Sequence, residues 1–569
     1  MDYSKKTLYQ RVISRHADMV QHRKLWEPQC DDIVEYCRPD LILGDSLDTS
    51  EGSFQGESIV EGSAFFSELT WQRGFMGLQV GSKINWIKYI LRVLDTNAAK
   101  YFKGNDRVNL FTQELREYML EVYRKSNYYS AMPDFVLDGG TVGSPVMLIE
   151  EDLINGVSVC KVPHYTQRYL KKDWFGNDTS LHLVHEITLL EAVELFGKKN
   201  LPETLQQDLM AGHHKIKVKF LQAIYRSGDE ILQNLPEPLM VRGPWMEFYF
   251  CMEAVNKEDE KPIRIKPYSS KPFISWHYSR RSEETYARTP SWWAIYDIKG
   301  NTAGWNTLFL TAEKQADPPM IMLQQMRART DLMPGGEVLA ASTDEYDRPP
   351  KPIDQKDKYP FVVDFMDRLR GNIDRFFHVD LFMQIQNYQK EHTQPPTAYE
   401  IMTMQAEKNV QIGPAIQGYE KFLGEADARL MAIENKAGRL PEIPQEILDL
   451  TEGTIEPIFV GPLALAQMQG QMLQKLQTGL GICEMIAPFS ENAAKYKLKW
   501  PQLLEKALEG IDFYQDVMNS EDEYNQIVES INEEIRQAQN AEVMQKEAQA
   551  VRNLGSKAEE GSPLKEMVA

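Results

Sequence analysis

His182 and His185, followed by Glu186, are the first side chains whose types would suit a metal ion. A zinc protease needs His-Glu-x-x-His on one helix, so that both imidazoles share a face. Here the order is wrong and LHLVHEIT reads as a strand, which turns positions 182 and 185 to opposite faces. Ordinary strand histidines are the expectation. His213 and His214 are neighbours in sequence, a spacing poorly suited to one ion, and read as surface residues. The segment DGGTVGSP (138–145) is glycine-rich but lacks the lysine of a phosphate-cradling loop, so it reads as a tight turn between a helix and a strand. GFMGLQVG (74–81) lacks the strand-then-helix setting and the distal acid of a dinucleotide site. No Gly-x-Ser-x-Gly elbow occurs, and the many carboxylates single out no acid/base pair. The cysteines Cys30, Cys37, Cys160, Cys251 and Cys483 are scattered, without a Cys-x-x-Cys pair, which argues against a disulfide framework and a Cys-rich zinc site. No catalytic residue, metal ligand or cofactor is therefore expected. Basic residues gather at Arg327 and Arg329 and again at Arg368, Arg370 and Arg375. A solvated helix face or loop explains them, and contact with DNA or a partner is the other reading.

These residues lie on elements of changing character. Residues 5–38 read as helical, with Leu8, Val12, Met19, Trp26, Cys30 and Ile33 on the apolar side and Pro39 as the stop. Residues 40–62 read as an exposed loop, and helices resume over 63–78 and 109–126. From Gly140 the chain turns to short β-rich segments: VMLIEED, VSVCKVP, TQRYLKKDW, LHLVHEIT, 216–225 and 245–253, with a helix at 189–196. The chain up to Pro290 is thus a mixed α+β region. A helix over 291–315 ends before Asp317-Pro318-Pro319, because proline cannot continue it. A proline-rich insertion with Gly335-Gly336 comes next. Residues 361–391 then read as one helix, striped by Val362, Phe365, Leu369, Ile373, Phe376, Phe377, Leu381, Ile385 and Tyr388. After the loop His392–Pro396, Thr397 and Glu400 form a capping box opening a long helix. Gly413-Pro414 is expected to kink it before it ends near Gly438. Residues 463–479 and 501–553 read as helical. Toward the end of the latter, Ile527, Ile531, Ile535, Ala538 and Ala541 form a thin apolar stripe that suits packing against a copy or a partner. The last residues read as disordered.

The chain has 569 residues, 42% of them hydrophobic and 10% aromatic, enough for real cores and too many for a wholly disordered protein. Lys and Arg total 63 against 83 Asp and Glu, a formal charge of -20. Such an acidic chain does not wrap duplex DNA by general attraction. It remains compatible with letting DNA slide past. From Pro501 onward acids such as Glu505, Glu509, Asp512, Asp516 and Glu521-Asp522-Glu523 outnumber bases. No run of eighteen apolar residues and no apolar signal core occur, so neither a membrane anchor nor export is expected.

Several motifs, in order, resemble the head-to-tail connector, or portal, proteins of short-tailed bacteriophages. RKLWEPQCDDIVEYCRPD (23–40) is similar to that family's opening helix, RGFMGLQVGSKINWIKYIL (73–91) to its glycine-rich segment before an aromatic strand, and SNYYSAMPDFVLDGGTVGSPVMLIEED (126–152) to its helix, turn and first strand. The most specific stretch spans 284–322. There Tyr286, Arg288, Pro290, Asp297-Ile298-Lys299 and Pro318-Pro319 match the family pattern, and Ala287 replaces its usual glycine. PGGEV (334–338), the Thr-Ala-x-Glu helix with its Gly-Pro and closing Gly-Arg-Leu-Pro (395–444), and GPLALAQ (461–467) continue the series.

The resemblance implies a mostly helical α+β portal fold. Its parts would be a wing (1–290), a first stem helix (291–316), a clip (317–359), a second stem helix (360–391), a tunnel loop with a kinked wing helix (392–460), and a helical crown with a disordered tail (461–569). It implies a non-enzymatic homo-dodecameric ring at one capsid vertex of the virion, assembled in the host cytoplasm. Double-stranded DNA would pass through the ring during packaging and ejection. Implied partners are the major capsid protein, the terminase large subunit, tail adaptor and nozzle proteins, and internal core or ejection proteins. On this plan Gln389, Lys390, His392 and Gln394 line the channel, and Asp344, Glu345, Asp347 and Arg348 dock motor and tail. Arg327, Arg329, Arg368, Arg370 and Arg375 are local basic points of clip and stem. The alternatives are a scaffolding or adaptor protein without a channel, and a DNA-packaging enzyme.

Overall fold

The computed structural model describes residues 6–41, 59–79, 85–93, 106–152, 156–233, 243–253, 260–316, 320–322, 341–343, 347–348, 351–352, 359–383, 398–448, 453–459 and 521–555, with Gly81, Gln324 and Leu504 as single positions. The fold is α+β with small sheets. By contacts it divides into two units, the first comprising 1–89, 115–441 and 457–467 and the second 90–114, 442–456 and 468–569.

The first unit is organised by one antiparallel sheet of β4 (Arg168–Lys172), β5 (Asp178–Thr188), β6 (Lys217–Arg226), β7 (Trp245–Cys251) and β8 (Arg264–Tyr268), paired in chain order. Side chains alternate across a strand, so β6 feeds both faces. Leu221, Ala223 and Tyr225 meet Leu8 and Val12 of helix α1 (Leu8–Arg23) on one face. Ile224 meets Leu181 and Leu183, together with Val146 of β2 (Val146–Asp152) and Phe273 of β9 (Phe273–Ser275), on the other. Strand β2 pairs with both β9 and β3 (Val157–Lys161). The strands read between Gly140 and Glu253 are all present. The opening helix is split: α1 ends at Arg23 and α2 (Glu27–Cys37) begins with proline in its first turn, where the missing amide hydrogen costs nothing.

A second, aromatic core joins α3 (Ser63–Gln79), α5 (Tyr128–Gly140) and the long helix α11 (Ala398–Lys436). Trp71 and Trp276 stack with ring centroids 6.3 Å apart, and Phe135 stacks on Phe422 at 4.3 Å. Gly139 and Gly140 have no room for a side chain: an added Cβ would lie 2.2 Å from the Trp276 ring and 2.4 Å from the Trp71 ring. Helix α11 keeps helical backbone through Gly413-Pro414, and Gly438, at φ 67°, closes its end.

Asp427, fully enclosed on α11, accepts hydrogen bonds from the hydroxyls of Tyr89 at 2.7 Å and Tyr123 at 3.2 Å. Burial pushes its carboxyl from 3.8 up to about 7, against the pull of the two hydroxyls. Between those values the unfolded chain ionises while the folded one holds its proton, so this group's contribution to stability falls as pH rises through that window. Asp427→Asn keeps an acceptor and cannot ionise. The variant is expected to melt a few degrees above the parent at about pH 8 and level with it at about pH 4. A calorimetric scan at the two pH values checks this, and an equal difference at both would sink it.

Two more helices complete the first unit's long elements: α8 (Pro290–Ala316) and α9 (Tyr359–Phe376). The single helix expected over 361–391 is not continuous. It stops at Phe376, His378 takes a left-handed φ of 53°, and a short turn α10 (Val379–Phe382) comes next. That turn seats Phe382 on Gly74, where an added Cβ would lie 2.1 Å from the ring. In the second unit, Arg92 and Glu456 form an exposed ion pair at 2.9 Å. Its helix α12 (Glu521–Gly555) leaves Ile527, Ile531 and Ile535 between 44% and 49% exposed. These three succeed one another at four-residue intervals, the spacing of one helix face.

Candidate functional site

Helix α9, paired with α8, carries three of the five described residues of the sequence-derived site, Arg368, Arg370 and Arg375. The two helices approach closely because α8 presents glycines to α9. A Cβ on Gly304 would lie 3.0 Å from Met366 Cγ, and one on Gly300 would lie 3.4 Å from Leu369 Cδ1. This gives both glycines a role that their helix-weakening propensity concealed. The expected stripe on α9 holds at Leu369 and Ile373, which are buried. Met366, opposite Gly304, takes the buried place, and Phe365 is 49% exposed. Outward, α8 shows Trp293, Tyr296, Phe309 and Leu310, and α9 shows Val363 with Phe365.

One element fastens the pair to the rest of the unit. From α3 and the residues just before it, Glu61 accepts hydrogen bonds from Arg370 Nη2 at 3.0 Å and Asn301 Nδ2 at 2.8 Å. Ser67 Oγ donates to Asp374 Oδ1 at 2.6 Å, and Ser291 Oγ donates to Glu68 Oε1 at 3.0 Å. Glu68 is fully buried, and burial raises its carboxyl to about 8 although nearby Arg38 opposes the rise. Lys299 pairs with Asp32 of α2 at 2.7 Å.

The basic points separate by environment. Arg368 and Arg375 are exposed on α9. Arg370 instead turns to Glu61 and lies 5.1 Å from the Trp305 ring centre, a cation–π contact. The insertion between the helices is held at its base, where β10 (Met320–Ile321) pairs with β11 (Lys351–Pro352). Asp347 and Arg348 are exposed within it, and the Asp347 amide donates to the Thr343 carbonyl at 3.0 Å. Asp344, Glu345, Arg327, Arg329, Gln389, Lys390, His392 and Gln394 lie outside the described residues.

His182 and His185 serve the fold. His182 is fully buried, with Nε2 2.5 Å from the Tyr225 hydroxyl, while His185 turns the other way and lies 2.7 Å from Gln222 Oε1. His213 and His214 are exposed. Among the described residues no group of three or more His, Cys, Asp or Glu could hold a metal ion, and no helix is long and apolar enough to cross a membrane.

The DGGTVGSP turn carries two polar chains that sequence reasoning missed. Asp138 meets Arg168 at 2.9 Å and Arg38 at 3.5 Å, all three buried. Ser144, in a left-handed conformation at φ 47°, sets its Oγ 3.0 Å from His277 Nδ1, and His277 Nε2 lies 2.8 Å from Asp178 Oδ2. The order of residues matches a hydrolase triad, yet the ring is reversed, since a triad serine faces Nε2. Ser144 is also 1% exposed and accepts the Ala287 amide, so the chain locks a turn. Burial works against the charge on Asp178, but His277 and Arg280 hold its carboxyl well below the usual range. The partners stand 30 to 133 residues apart, which is why no local motif announces them.

The family model described as bacteriophage head to tail connecting protein matches residues 9–518. The portal protein of Salmonella phage epsilon15 is 22% identical over 493 residues, covering 86% of this chain and 85% of the relative.

Proposed function

The chain belongs to the bacteriophage head to tail connecting protein family, whose members are structural and not enzymes, and on that premise we propose that twelve copies close into a ring at the capsid vertex. The ring is the channel through which double-stranded DNA enters and leaves. Its clip (317–359) receives the terminase large subunit during packaging and the tail adaptor and nozzle proteins afterwards. The wing (1–290) faces the major capsid protein, and the crown (461–569) faces internal core or ejection proteins. Assembly takes place in the host cytoplasm.

The observation that supports this most is the α8–α9 pair: two long helices with apolar side chains outward, joined by an insertion closed at its base by β10 and β11. Such exposed apolar faces suit burial between copies, and cyclic closure lets each contact be modest. Helix α8 corresponds to the first stem helix (291–316), and the second (360–391) begins with α9 and takes in α10. The tunnel loop and the long wing helix occupy 392–460. A charge of -20 per copy suits a conduit that DNA crosses without sticking. Exposed Arg368 and Arg375, and Asp347 and Arg348, are the proposed local contact points.

Negative-stain images of the purified protein are expected to show rings with a central hole. Solid particles or monomers at all concentrations would favour the adaptor reading. Deleting Lys390–Gln394 is expected to leave rings intact and to lower the yield of DNA-filled particles. Unchanged packaging and retention would remove Gln389, Lys390, His392 and Gln394 from the channel.

A further inference from the structure

The β4–β5 hairpin ends in Trp174 and Phe175, which are 94% and 87% exposed, the two most exposed large apolar side chains among the described residues. The tip holding them is built to stay in place. The Asp173 amide donates to the Asn177 carbonyl at 2.8 Å, and the Asn177 amide donates to Asp173 Oδ1 at 2.8 Å. Gly176, at φ 84°, supplies the left-handed turn, and its carbonyl accepts Arg280 Nη2. Lys421 Nζ donates to Asn177 Oδ1 at 3.2 Å. A tryptophan and a phenylalanine on a fixed tip have the composition of a binding anchor.

The other end of the same strand offers a match. Strand β5 runs eleven residues from the tip to Thr188, which caps helix α6 (Leu189–Phe196). Leu189, Ala192 and Phe196 of α6 are buried against β6 and β7, so its outward arc carries Leu190 and Leu195, 52% and 59% exposed, with Glu191 and Glu194 between them. Ile216, 42% exposed, adjoins this arc, because its carbonyl accepts the Leu189 amide. Knob and patch are therefore separated by the length of β5, about 35 Å at ~3.4 Å per residue. Their charges are opposite. Lys172 and Lys421 flank the aromatic tip, and Glu191 and Glu194 lie between the two leucines on the arc.

We propose that the Trp174–Phe175 tip of one copy inserts against the Leu190–Leu195 face of α6 in the next copy, as a heterologous contact around the ring. The occupant is a second copy because one chain carries both halves, at opposite ends of one strand and with complementary charge. Such a head-to-tail contact repeats around a closed ring, whereas a tip meeting its own twin would stop at a dimer. The proposal rests on the ring reading above.

Two surface variants and one cross-link test it. Trp174→Ser with Phe175→Ser, and separately Leu190→Glu with Leu195→Glu, change exposed side chains, and unchanged melting curves will show that the fold is kept. Each pair is expected to raise the concentration needed for ring assembly, tracked by sedimentation velocity, about tenfold or more. A chain carrying both Trp174→Cys and Leu195→Cys is expected to give, on oxidation, a ladder of covalent dimers, trimers and larger species absent from the parent and from either single variant. Rings that assemble at the parent's concentration in both surface variants would overturn the contact and leave the ring standing. Dimers from Trp174→Cys alone would overturn it in favour of a tip-to-tip contact. A tip protected only when capsid protein is added would assign it to that partner instead. A parent chain that forms no oligomer would overturn both the contact and the ring.

Discussion

Replacing Asp138 with alanine is expected to cost about 3–5 kcal/mol and to leave little folded chain at physiological temperature. Asp138 is the carboxylate that neutralises Arg168, whose side chain is 2% exposed, and it also faces Arg38, 3% exposed. Arg38 keeps Asp40, which it contacts at 2.7 Å. Among the described residues Arg168 then keeps the carbonyls of Pro163 and Gly143, at 3.3 and 3.2 Å. A guanidinium stranded in that position carries its full desolvation penalty. Burial already draws the Arg168 guanidinium below its ordinary range, with Asp138 as the chief opposing influence. Asp138→Asn retains the shape and an acceptor, so its loss should be smaller. The pair is sealed from solvent, so both losses should persist in high salt, unlike those of an exposed ion pair. Urea titrations of the two variants at low and high ionic strength measure this. A loss under about 1 kcal/mol for the alanine variant would mean that the guanidinium finds other partners.

Gly304→Leu is expected to abolish assembly of the proposed ring while the chain still folds. The new side chain must push Met366 aside, and overpacking of this kind costs about 1–3 kcal/mol. Leucine also improves helix propensity over glycine by up to ~1 kcal/mol, so the net loss in melting is reduced. The larger consequence is geometric. Forcing α8 from α9 moves the outward faces carrying Tyr296 and Phe365, and a closed ring repeats the same misfit at every contact. A second change at Met366 to alanine makes room, and the double variant should recover rings because the two sites are coupled. Gly371 on α9 provides the contrast. An added Cβ there meets nothing within 4 Å, so Gly371→Ala should leave assembly intact and raise stability by about 0.5–1 kcal/mol. Electron microscopy of the three variants decides the matter, and normal rings from Gly304→Leu would refute the close-packing account.

The strands between Val146 and Cys251 are legible because each is short, alternating or β-branched, and bounded by turn residues. Strands β8 and β9 escape such reading. IKPY carries Pro267 and β9 has only three residues, so both depend on partners that sequence does not reveal. The helix break at Phe377–His378 is hidden for a related reason. Phe377 continues the apolar pattern, and only the seating of Phe382 on Gly74, some 300 positions away, calls for the turn. The candidate site divides in the same way. Charge runs such as Arg368, Arg370 and Arg375 are visible as composition, yet which of them turns inward is set by Glu61, far upstream. Polar chains such as Ser144–His277–Asp178 have no local signature at all, since each member is ordinary in its own neighbourhood.

The fastening of the helix pair by α3 has a mechanical meaning. Glu61, Ser67 and Glu68 reach both long helices within two turns of one element, through bonds to Asn301, Arg370, Asp374 and Ser291. Each bond alone contributes on the order of 1 kcal/mol. A tug along the pair, however, loads them in parallel, so they share the strain and fail together instead of peeling off one by one. In the proposed packaging role, a motor pushing against these helices would find a strut seated in its socket, and the force would pass on into the aromatic core around Trp71 and Trp276.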